Sequence, residues 1–230
     1  MSAARDQILG HIRRSLGRGE GAEAAAAREA VDARLTERPR GLIPERARTP
    51  DPDALVALFQ EKAARVDCTT QVIASLDELP DAVADYLARE NLPAELRMGA
   101  HPDLTAAPWD SRPTLSVSTG PTDGSHAVSV AAAFAGAAET ATLALLSGPD
   151  APTTLNFLPE SEIVLLRKSR LVGPYEDVWR LLRARNEEAG GLPRTVNLIT
   201  GPSRTGDIEQ TIELGAHGPL RLHVVILDDV

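Results

Sequence analysis

The sequence predicts an α/β protein in three layers, with a mostly parallel sheet and an N-terminal helical arm. Helix-like and strand-like segments alternate along most of the chain. Several strand candidates are unbroken apolar runs, such as residues 163–166 and 222–227. Strands of this kind are buried on both faces, which is typical of a parallel or mixed sheet covered by helices. The hydrophobic share of 43% is ordinary for a globular chain, so a core of this type can form.

The charge distribution divides the 230 residues into an N-terminal segment, 1–50, and an α/β domain, 51–230. The first segment holds 10 basic and 7 acidic residues, whereas the second holds 14 and 26. Ile8, Ile12 and Leu16 recur every four residues, which predicts a short helix with one apolar face. The residues after it read as a flexible linker, with some helix in its Ala-rich part. The apolar face either packs on the chain's own domain or docks on a partner or second subunit.

Within the domain, the first helix is predicted to begin after Asp51, which is suited to cap it, with Pro52 at its first position. Apolar residues at helical spacing predict further helices over 75–91 and 175–185. The remaining apolar runs predict six strands outside the unit described below: 69–74, 96–99, 114–117, 127–130, 142–146 and 163–166. Within that unit, 196–200 and 222–227 are the predicted strands.

Composition excludes several classes of protein. The net charge is −9 and aromatic residues make up 3%, which argues against a nucleic-acid-binding surface. A single cysteine, Cys68, excludes an intramolecular disulfide and a self-contained cysteine-ligated iron–sulfur cluster. The N-terminus lacks the apolar core of a signal peptide, and Glu139 interrupts the most membrane-like window, 128–146. We therefore expect a cytoplasmic protein without a membrane span.

Residues 195–227 are the most informative segment, and they predict a strand, a short loop, a helix over 208–214 and a second strand. Asp207 and Gln210 would form a capping box at the start of this helix, and Gly215 would end it. The loop concentrates polar groups, and a helix N-terminus favours anions. We therefore expect anion binding here by the loop residues Gly201, Ser203, Arg204, Thr205 and Asp207. The alternative is a helix cap with Arg204 facing solvent and paired with an acid.

Two further pairs of neighbouring residues are candidates for a catalytic or binding role. Glu139 and Thr140 lie among small apolar residues, where a carboxyl group can act as a nucleophile or general base. Glu139 could equally be a structural acid that holds Arg204 or backbone N–H groups. His217 and Gly218 lie in a glycine-rich turn, and this histidine is either a proton-transfer group or a turn residue bonded to a backbone carbonyl. The histidines show no metal-binding spacing, so no metal site is predicted.

Several segments resemble the LUD, or lactate-utilisation domain, family over nearly the whole chain. The resemblance rests on the stretches ARDQILGHIRRSL and AAETATLAL, and above all on GPSRTGDIEQTIELGAHGP. Three residues depart from the family pattern: Ala141 stands where glycine is usual, Gly206 where alanine is usual, and Glu162 where histidine is usual. The last departure removes any role for a histidine at that position.

The resemblance implies a sheet of the NagB/RpiA/CoA-transferase-like type. It also implies a subunit that supports oxidation of L-lactate to pyruvate, together with partner subunits that carry iron–sulfur clusters, while this chain carries no cofactor. The ligand would be a small carboxylate or a phosphate-bearing anion, bound near Glu139 and His217 as tentative catalytic residues. Thr140 and Gly218 would bind it together with the loop residues named above. Two alternatives stay open: a stand-alone acyl- or CoA-transfer enzyme with Glu139 as nucleophile, and a non-catalytic binding or regulatory module. An oligomer is also compatible with the sequence.

Overall fold

The computed structural model of the protein describes residues 3–17, 21–208 and 211–230. The chain falls into two compact units, Met1–Leu42 and Ile43–Val230. The boundary at residue 50 stays a prediction, since it follows the change in charge along the sequence.

The first unit contains two helices, α1 (Ala3–Ser15) and α2 (Ala22–Glu37). The helix predicted from the spacing of Ile8 and Ile12 is therefore confirmed. The second helix extends beyond the Ala-rich run at both ends, so much less of this segment is linker than the sequence indicates. Alanine has the highest helix propensity, and the run of alanines accounts for the extension.

The second unit is built on a six-stranded parallel sheet in the order β1-β12-β7-β4-β2-β3. Its strands in chain order are β1 (Thr69–Ile73), β2 (Glu95–Met98), β3 (Ser116–Thr119), β4 (Val128–Ala132), β7 (Ser161–Arg167) and β12 (Arg221–Leu227). The apolar runs at 163–166 and 222–227 form two neighbouring interior strands, β7 and β12, and both are buried on both faces. The predicted α/β class with a mostly parallel sheet is confirmed.

Helices cover both faces of this sheet. One face packs against α4 (Leu79–Arg89) and α5 (Pro102–Ala106). The other face packs against α3 (Pro52–Ala64) and a smaller sheet. The predicted cap of α3 is present, because the Asp51 side chain accepts a hydrogen bond from the Asp53 N–H at 3.0 Å.

The smaller sheet is four-stranded and mixed, in the order β8-β5-β6-β9. Its strands are β5 (Ala135–Ala137), β6 (Thr142–Leu146), β8 (Leu171–Val172) and β9 (Val196–Ile199). Leu143 and Leu145 of β6 face the large sheet, and Ala144 faces the opposite way, toward α6 (Tyr175–Ala189). Window 128–146 is thus three buried strands, β4 to β6, and no part of it is helical.

The predicted helix over 208–214 is wrong. The chain forms an antiparallel hairpin there, from β10 (Arg204–Ile208) to β11 (Thr211–Leu214), and Gln210 lies outside the described residues. The segment is rich in β-branched residues, which favour extended backbone. The capping box with Asp207 and the helix N-terminus that was expected to attract an anion are therefore absent from the described residues. Gly215 still adopts the left-handed conformation, with φ of 80°, but it ends a hairpin.

The core contains ionisable groups without salt-bridge partners. Glu162 is fully buried, both of its carboxyl oxygens lack a hydrogen-bond partner, and burial raises the pKa of this carboxyl well above 4.5. Burial, with a contribution from Glu162, raises the pKa of the Cys68 thiol to about 12, which makes this thiol unreactive. His223 stacks on Tyr86 at 4.2 Å, and burial lowers the pKa of its imidazole to about 4. All three groups are therefore uncharged at neutral pH.

Glu162→Gln is expected to stabilise the protein increasingly as pH rises. The folded state keeps Glu162 protonated, whereas the unfolded state releases the proton above about pH 4.5, so raising the pH favours unfolding of the wild type only. Urea unfolding at about pH 5 and about pH 8 measures the difference, which grows by up to about 1.4 kcal/mol per pH unit.

Glu95→Gln, at an exposed glutamate, is the control and is expected to show no such trend. The lowered pKa of His223 affects wild type and variant equally, so it cancels from the comparison. A stability difference that does not change with pH would contradict the buried, protonated state of Glu162.

Candidate functional site

A large cavity lies at the amino edge of the parallel sheet, where three neighbouring strands begin. It is a cleft of about 600 Å³ between three loops, 124–127 before β4, 157–160 before β7 and 215–220 before β12. We call it the loop cleft. Hydrogen bonds tie the loops together, from the Ser161 N–H to the Ala127 carbonyl at 3.0 Å and from the Leu220 N–H to the Glu160 carbonyl at 2.8 Å.

The carboxyl edge of the same sheet is occupied by ion pairs. Arg167, at the end of β7, binds the Asp103 carboxylate through two N–H groups at 2.6 and 2.7 Å. Lys168 is nearly buried and pairs with Asp53 at 2.6 Å and with Asp228 at 2.9 Å. A cavity of only about 10 Å³ lies at this edge, beyond β4. Ligands of open α/β sheets usually bind at the carboxyl ends of the strands, and here the larger space is at the opposite edge.

Ser203 fixes the loop before β12. Its backbone N–H donates to the Pro219 carbonyl at 2.8 Å, and its carbonyl accepts from the Gly215 N–H at 2.9 Å. Its side-chain oxygen accepts from the His217 N–H at 3.2 Å. A side chain at position 215 would collide with Leu220, so this turn needs glycine for space as well as for its positive φ. Ser203 thus holds His217 and Gly218 at the rim of the loop cleft.

Arg204 lies in a second cavity beside the loop cleft. This cavity has a volume of about 130 Å³, and it also contains Arg221, the first residue of β12. We call it the arginine pocket. The Arg204 guanidinium pairs with the exposed Asp67 carboxylate. The Arg221 guanidinium pairs with Glu160 at 2.7 Å and lies 4.0 Å from Glu90.

The two cavities share a wall. Leu220 lines both of them, and the Glu160–Arg221 ion pair joins a residue of the loop cleft to a residue of the arginine pocket. Ser203, His217 and Gly218 therefore lie close to Arg204 at one edge of the sheet.

Three further loop residues, Gly201, Thr205 and Asp207, are predicted from the sequence to bind an anion. Gly201 has φ of 72°, and a side chain there would meet the Val66 carbonyl oxygen at 2.7 Å. Thr205 lies in β10 opposite Glu213, and Asp207 lies in the same strand. None of these three lines the loop cleft or the arginine pocket among the residues that the structure describes. Their role in binding stays a prediction.

The Glu139 side chain is hydrogen-bonded to the first residue of α6. It is 9% exposed, one of its carboxylate oxygens accepts from the Tyr175 N–H at 2.9 Å, and its own N–H donates to the Gly173 carbonyl at 3.1 Å. It therefore binds one of the N–H groups that a helix leaves without an internal partner. Of the alternatives open from the sequence, this contact matches a structural acid on backbone N–H. No hydrogen bond among the described residues joins Glu139 to Arg204 or His217.

Thr140 belongs to a cluster of hydroxyl groups next to Glu139. The hydroxyl of the buried Thr142 lies 2.8 Å from that of Thr140 and 2.6 Å from that of Thr200. It also accepts a hydrogen bond from the Tyr175 hydroxyl at 2.7 Å. Three partners saturate one hydroxyl group, so this cluster ties β6, β9 and α6 together.

The part of the chain that the structure describes holds no group of three or more His, Cys, Asp or Glu residues that could bind a metal ion. Within the same part, no helix is both long enough and apolar enough to span a membrane.

Comparison with known proteins finds a family that is similar to the region forming the loop cleft. Residues 124–227 match the LUD domain family. We call them the LUD-like region. The resemblance to the LUD family predicted from the sequence is thus confirmed over these residues, and every residue that lines the loop cleft lies inside the matched region.

Several curated proteins that are similar to this chain carry the name lactate utilization protein C. Those from Halalkalibacterium halodurans, Geobacillus sp. strain WCH70 and Anoxybacillus flavithermus are 36%, 33% and 33% identical over 92 residues. The match covers 40% of this chain and 38–40% of each relative's own length.

A solved structure has a fold similar to that of this chain. The crystal structure of a DUF162 family protein from Deinococcus radiodurans aligns with a TM-score of 0.57 and 19% identity. The alignment covers 78% of this chain and 99% of that chain. At this level of identity the likeness shows the fold alone.

Three residues of the cavities escaped sequence reasoning: Arg221, His126 and Phe157. Arg221 is the first residue of a strand, and it meets Arg204 only because β12 lies beside β1 in the sheet. His126 and Phe157 come from loops about 30 residues apart, and each shares a cavity with His217 only in the folded chain. A polar or aromatic residue directly before a buried strand is the signal that could have found them.

Glu139→Ala is expected to destabilise the protein by about 1 kcal/mol, as loss of a helix-capping acceptor does. Glu139→Gln keeps an acceptor oxygen and is expected to cost less. Thermal unfolding measures how much stability each of the two variants loses. Glu188→Ala, an exposed position near the other end of α6, serves as the control. Equal stability of wild type and Glu139→Ala would contradict a capping role.

Proposed function

We propose that the chain is a subunit of a lactate-utilisation system that supports oxidation of L-lactate to pyruvate, together with iron–sulfur partner subunits. In this proposal it works in the cytoplasm and binds a small anionic ligand, namely a carboxylate or a phosphate-bearing molecule. The proposed fold type is that of the NagB/RpiA/CoA-transferase-like group.

One observation carries this proposal. The relatives named lactate utilization protein C match a 92-residue stretch, and the LUD domain match contains all of the loop cleft as well as both arginines of the arginine pocket. The similarity therefore covers the whole lining of the loop cleft and part of the lining of the arginine pocket. The lone cysteine adds to this, because electrons from lactate would have to pass through clusters bound by other chains.

The arginine pocket suits a small carboxylate. Its volume of about 130 Å³ equals that of roughly four water molecules, at about 30 Å³ each. Arg204 and Arg221 both line it, and a guanidinium group binds a carboxylate through parallel N–H donors. Each guanidinium carries five N–H donors, so the observed ion pairs leave donors available for a ligand.

Asp67 would act as an exchangeable counter-ion of Arg204. Its side chain is 79% exposed, and ion pairs at such sites contribute only about 0–1 kcal/mol. A ligand carboxylate can therefore replace it at small cost. Exchange of this kind also resolves the conflict between an acidic domain and an anionic ligand, because one negative charge leaves the guanidinium as another arrives.

Acyl or CoA transfer through Glu139 receives less support. The hydrogen bond from the Tyr175 N–H to the Glu139 carboxylate holds this group at the start of α6. Neither cavity described above includes Glu139 in its lining. We therefore assign the ligand to the arginine pocket, and His217 to the neighbouring rim.

Arg204→Gln is expected to weaken binding of L-lactate or pyruvate at least about tenfold. A hydrogen bond to a charged group contributes roughly 1.5–3 kcal/mol, and about 1.4 kcal/mol corresponds to a factor of ten. Asp67→Asn is expected to tighten binding, because it removes the competing carboxylate. Asparagine also tolerates the positive φ of 56° at this position. Isothermal titration of the full chain measures both effects.

Arg112→Gln is the matched control, since Arg112 is similarly exposed and pairs with the exposed Asp81 outside both cavities. It is expected to bind like the wild type. Unchanged affinity in Arg204→Gln, or weaker binding in Asp67→Asn, would exclude the arginine pocket as the anion site.

The isolated chain is expected to show no L-lactate-dependent reduction of an artificial electron acceptor. Co-expressed with two iron–sulfur subunits, it is expected to elute with them in one peak that carries the visible absorption of the clusters. Size-exclusion chromatography and a dye-reduction assay make these measurements. Sustained lactate oxidation by the purified chain alone would show that the proposed division of labour is incorrect.

A further inference from the structure

The loop cleft is too large for the ligand of the arginine pocket. Its volume of about 600 Å³ is between four and five times the 130 Å³ of its neighbour. Cavities of roughly 300–1,000 Å³ are typical of sites for organic ligands much larger than a small acid. A molecule of the size of lactate would contact only one of the three loops at a time.

One wall of the loop cleft is apolar and exposed. Phe157 is 40% and Leu158 is 48% exposed, and both line the cleft, followed by Pro159. Large apolar side chains at a concave surface mark binding sites more often than chance would place them there. The aromatic face of Phe157 favours a flat, unsaturated partner, because rings prefer to stack on rings.

The loop before β12 offers hydrogen-bond donors in the same cleft. The carbonyl oxygen of Ser203 accepts from the Gly215 N–H, and its side-chain oxygen accepts from the His217 N–H. Ala216 and Gly218 each follow one of these two residues in the chain. In the described part of the chain, the N–H groups of Ala216 and Gly218 have no hydrogen-bond partner. Backbone N–H groups of a loop that have no partner within the protein can donate to an anion.

Two imidazoles line the cleft beside these donors. The Nδ1 atom of His126 is held by the hydroxyls of Thr122 at 3.1 Å and Ser125 at 3.2 Å, which leaves its Nε2 atom for a ligand. His217 is exposed, and its backbone is fixed by Ser203. The one carboxylate in the lining, Glu160, is neutralised by Arg221, so it opposes an anion only weakly.

We propose that the loop cleft is a second ligand site, which binds a ring-bearing organic anion of mononucleotide size. The flat ring packs on Phe157, and the anionic group is bound by the N–H groups of Ala216 and Gly218 with His217. This site is separate from the arginine pocket and does not rest on the lactate-utilisation proposal. The shared wall at Leu220 would place the two ligands next to each other.

The test titrates the full chain with probes that separate the ring from the phosphate. AMP and FMN carry both parts, adenosine and riboflavin carry the ring system, and ribose 5-phosphate carries the phosphate. Either AMP or FMN, or both, is expected to bind ten times more tightly than its own phosphate-free form (adenosine or riboflavin) and than ribose 5-phosphate. Binding by neither complete probe, or equal binding of ribose 5-phosphate, would overturn the proposal.

Phe157→Ala is expected to weaken binding of the complete probe about tenfold and to leave ribose 5-phosphate unaffected, since stacking contributes roughly this factor per ring. Trp179→Ala is the matched control, because Trp179 is 38% exposed and lies outside the cleft. A Phe157→Ala variant that binds like the wild type would overturn the stacking assignment. The comparison of whole probes with fragments needs no variant, so it decides the matter even if a variant fails to fold.

Arg204→Gln separates this proposal from the lactate-utilisation proposal. It is expected to weaken binding of lactate and to leave AMP and FMN binding unchanged, because Arg204 does not line the loop cleft. Loss of AMP or FMN binding in Arg204→Gln would show that the two cavities are one site and would overturn the inference. Loss of lactate binding with AMP and FMN binding retained is the expected result, and it supports two separate sites.

Discussion

The parallel pairing of β12 between β1 and β7 is the constraint on which the rest of the second unit depends. This last strand pairs with β1 over five residues and with β7 over seven. Its insertion fixes the loop before it, residues 215–220, against the loops before β4 and β7. It also brings Arg221 beside Asp67, which precedes β1. Both cavities are therefore consequences of one strand pairing between segments that are far apart in the chain.

The two edges of the large sheet have different chemistry. At the carboxyl edge, Arg167 and Lys168 are matched by aspartates from α3, α5 and the C-terminus. These pairs occupy the edge where many α/β proteins bind ligands. At the amino edge, the loops before β4, β7 and β12 leave a cleft between them. The loop cleft and the arginine pocket thus lie at the edge opposite these ion pairs.

The proposed anion binding has to overcome the net negative charge of the protein. The net charge of −9 repels a carboxylate at long range, and this repulsion is screened beyond about 8–10 Å at physiological salt. In both proposals the donors decide the outcome at short range: the guanidiniums of Arg204 and Arg221 in one cavity, and backbone N–H groups in the other. Exposed Asp67 and paired Glu160 would add little to the repulsion, since neither is a fixed, unpaired charge.

The sequence by itself determined the α/β class, the interior strands β7 and β12, the amphipathic helices and the concentration of polar residues around Ser203 and Arg204, because periodicity and burial act locally along the chain. It did not determine that residues 204–214 form a hairpin, since short segments rich in β-branched residues fit a helix or a strand until their neighbours select one. Nor did it place Arg221 beside Arg204, or Glu139 at the start of α6, because these contacts join residues 17 and 36 positions apart. Only the tertiary structure brings such residues together, by fixing which strands are neighbours.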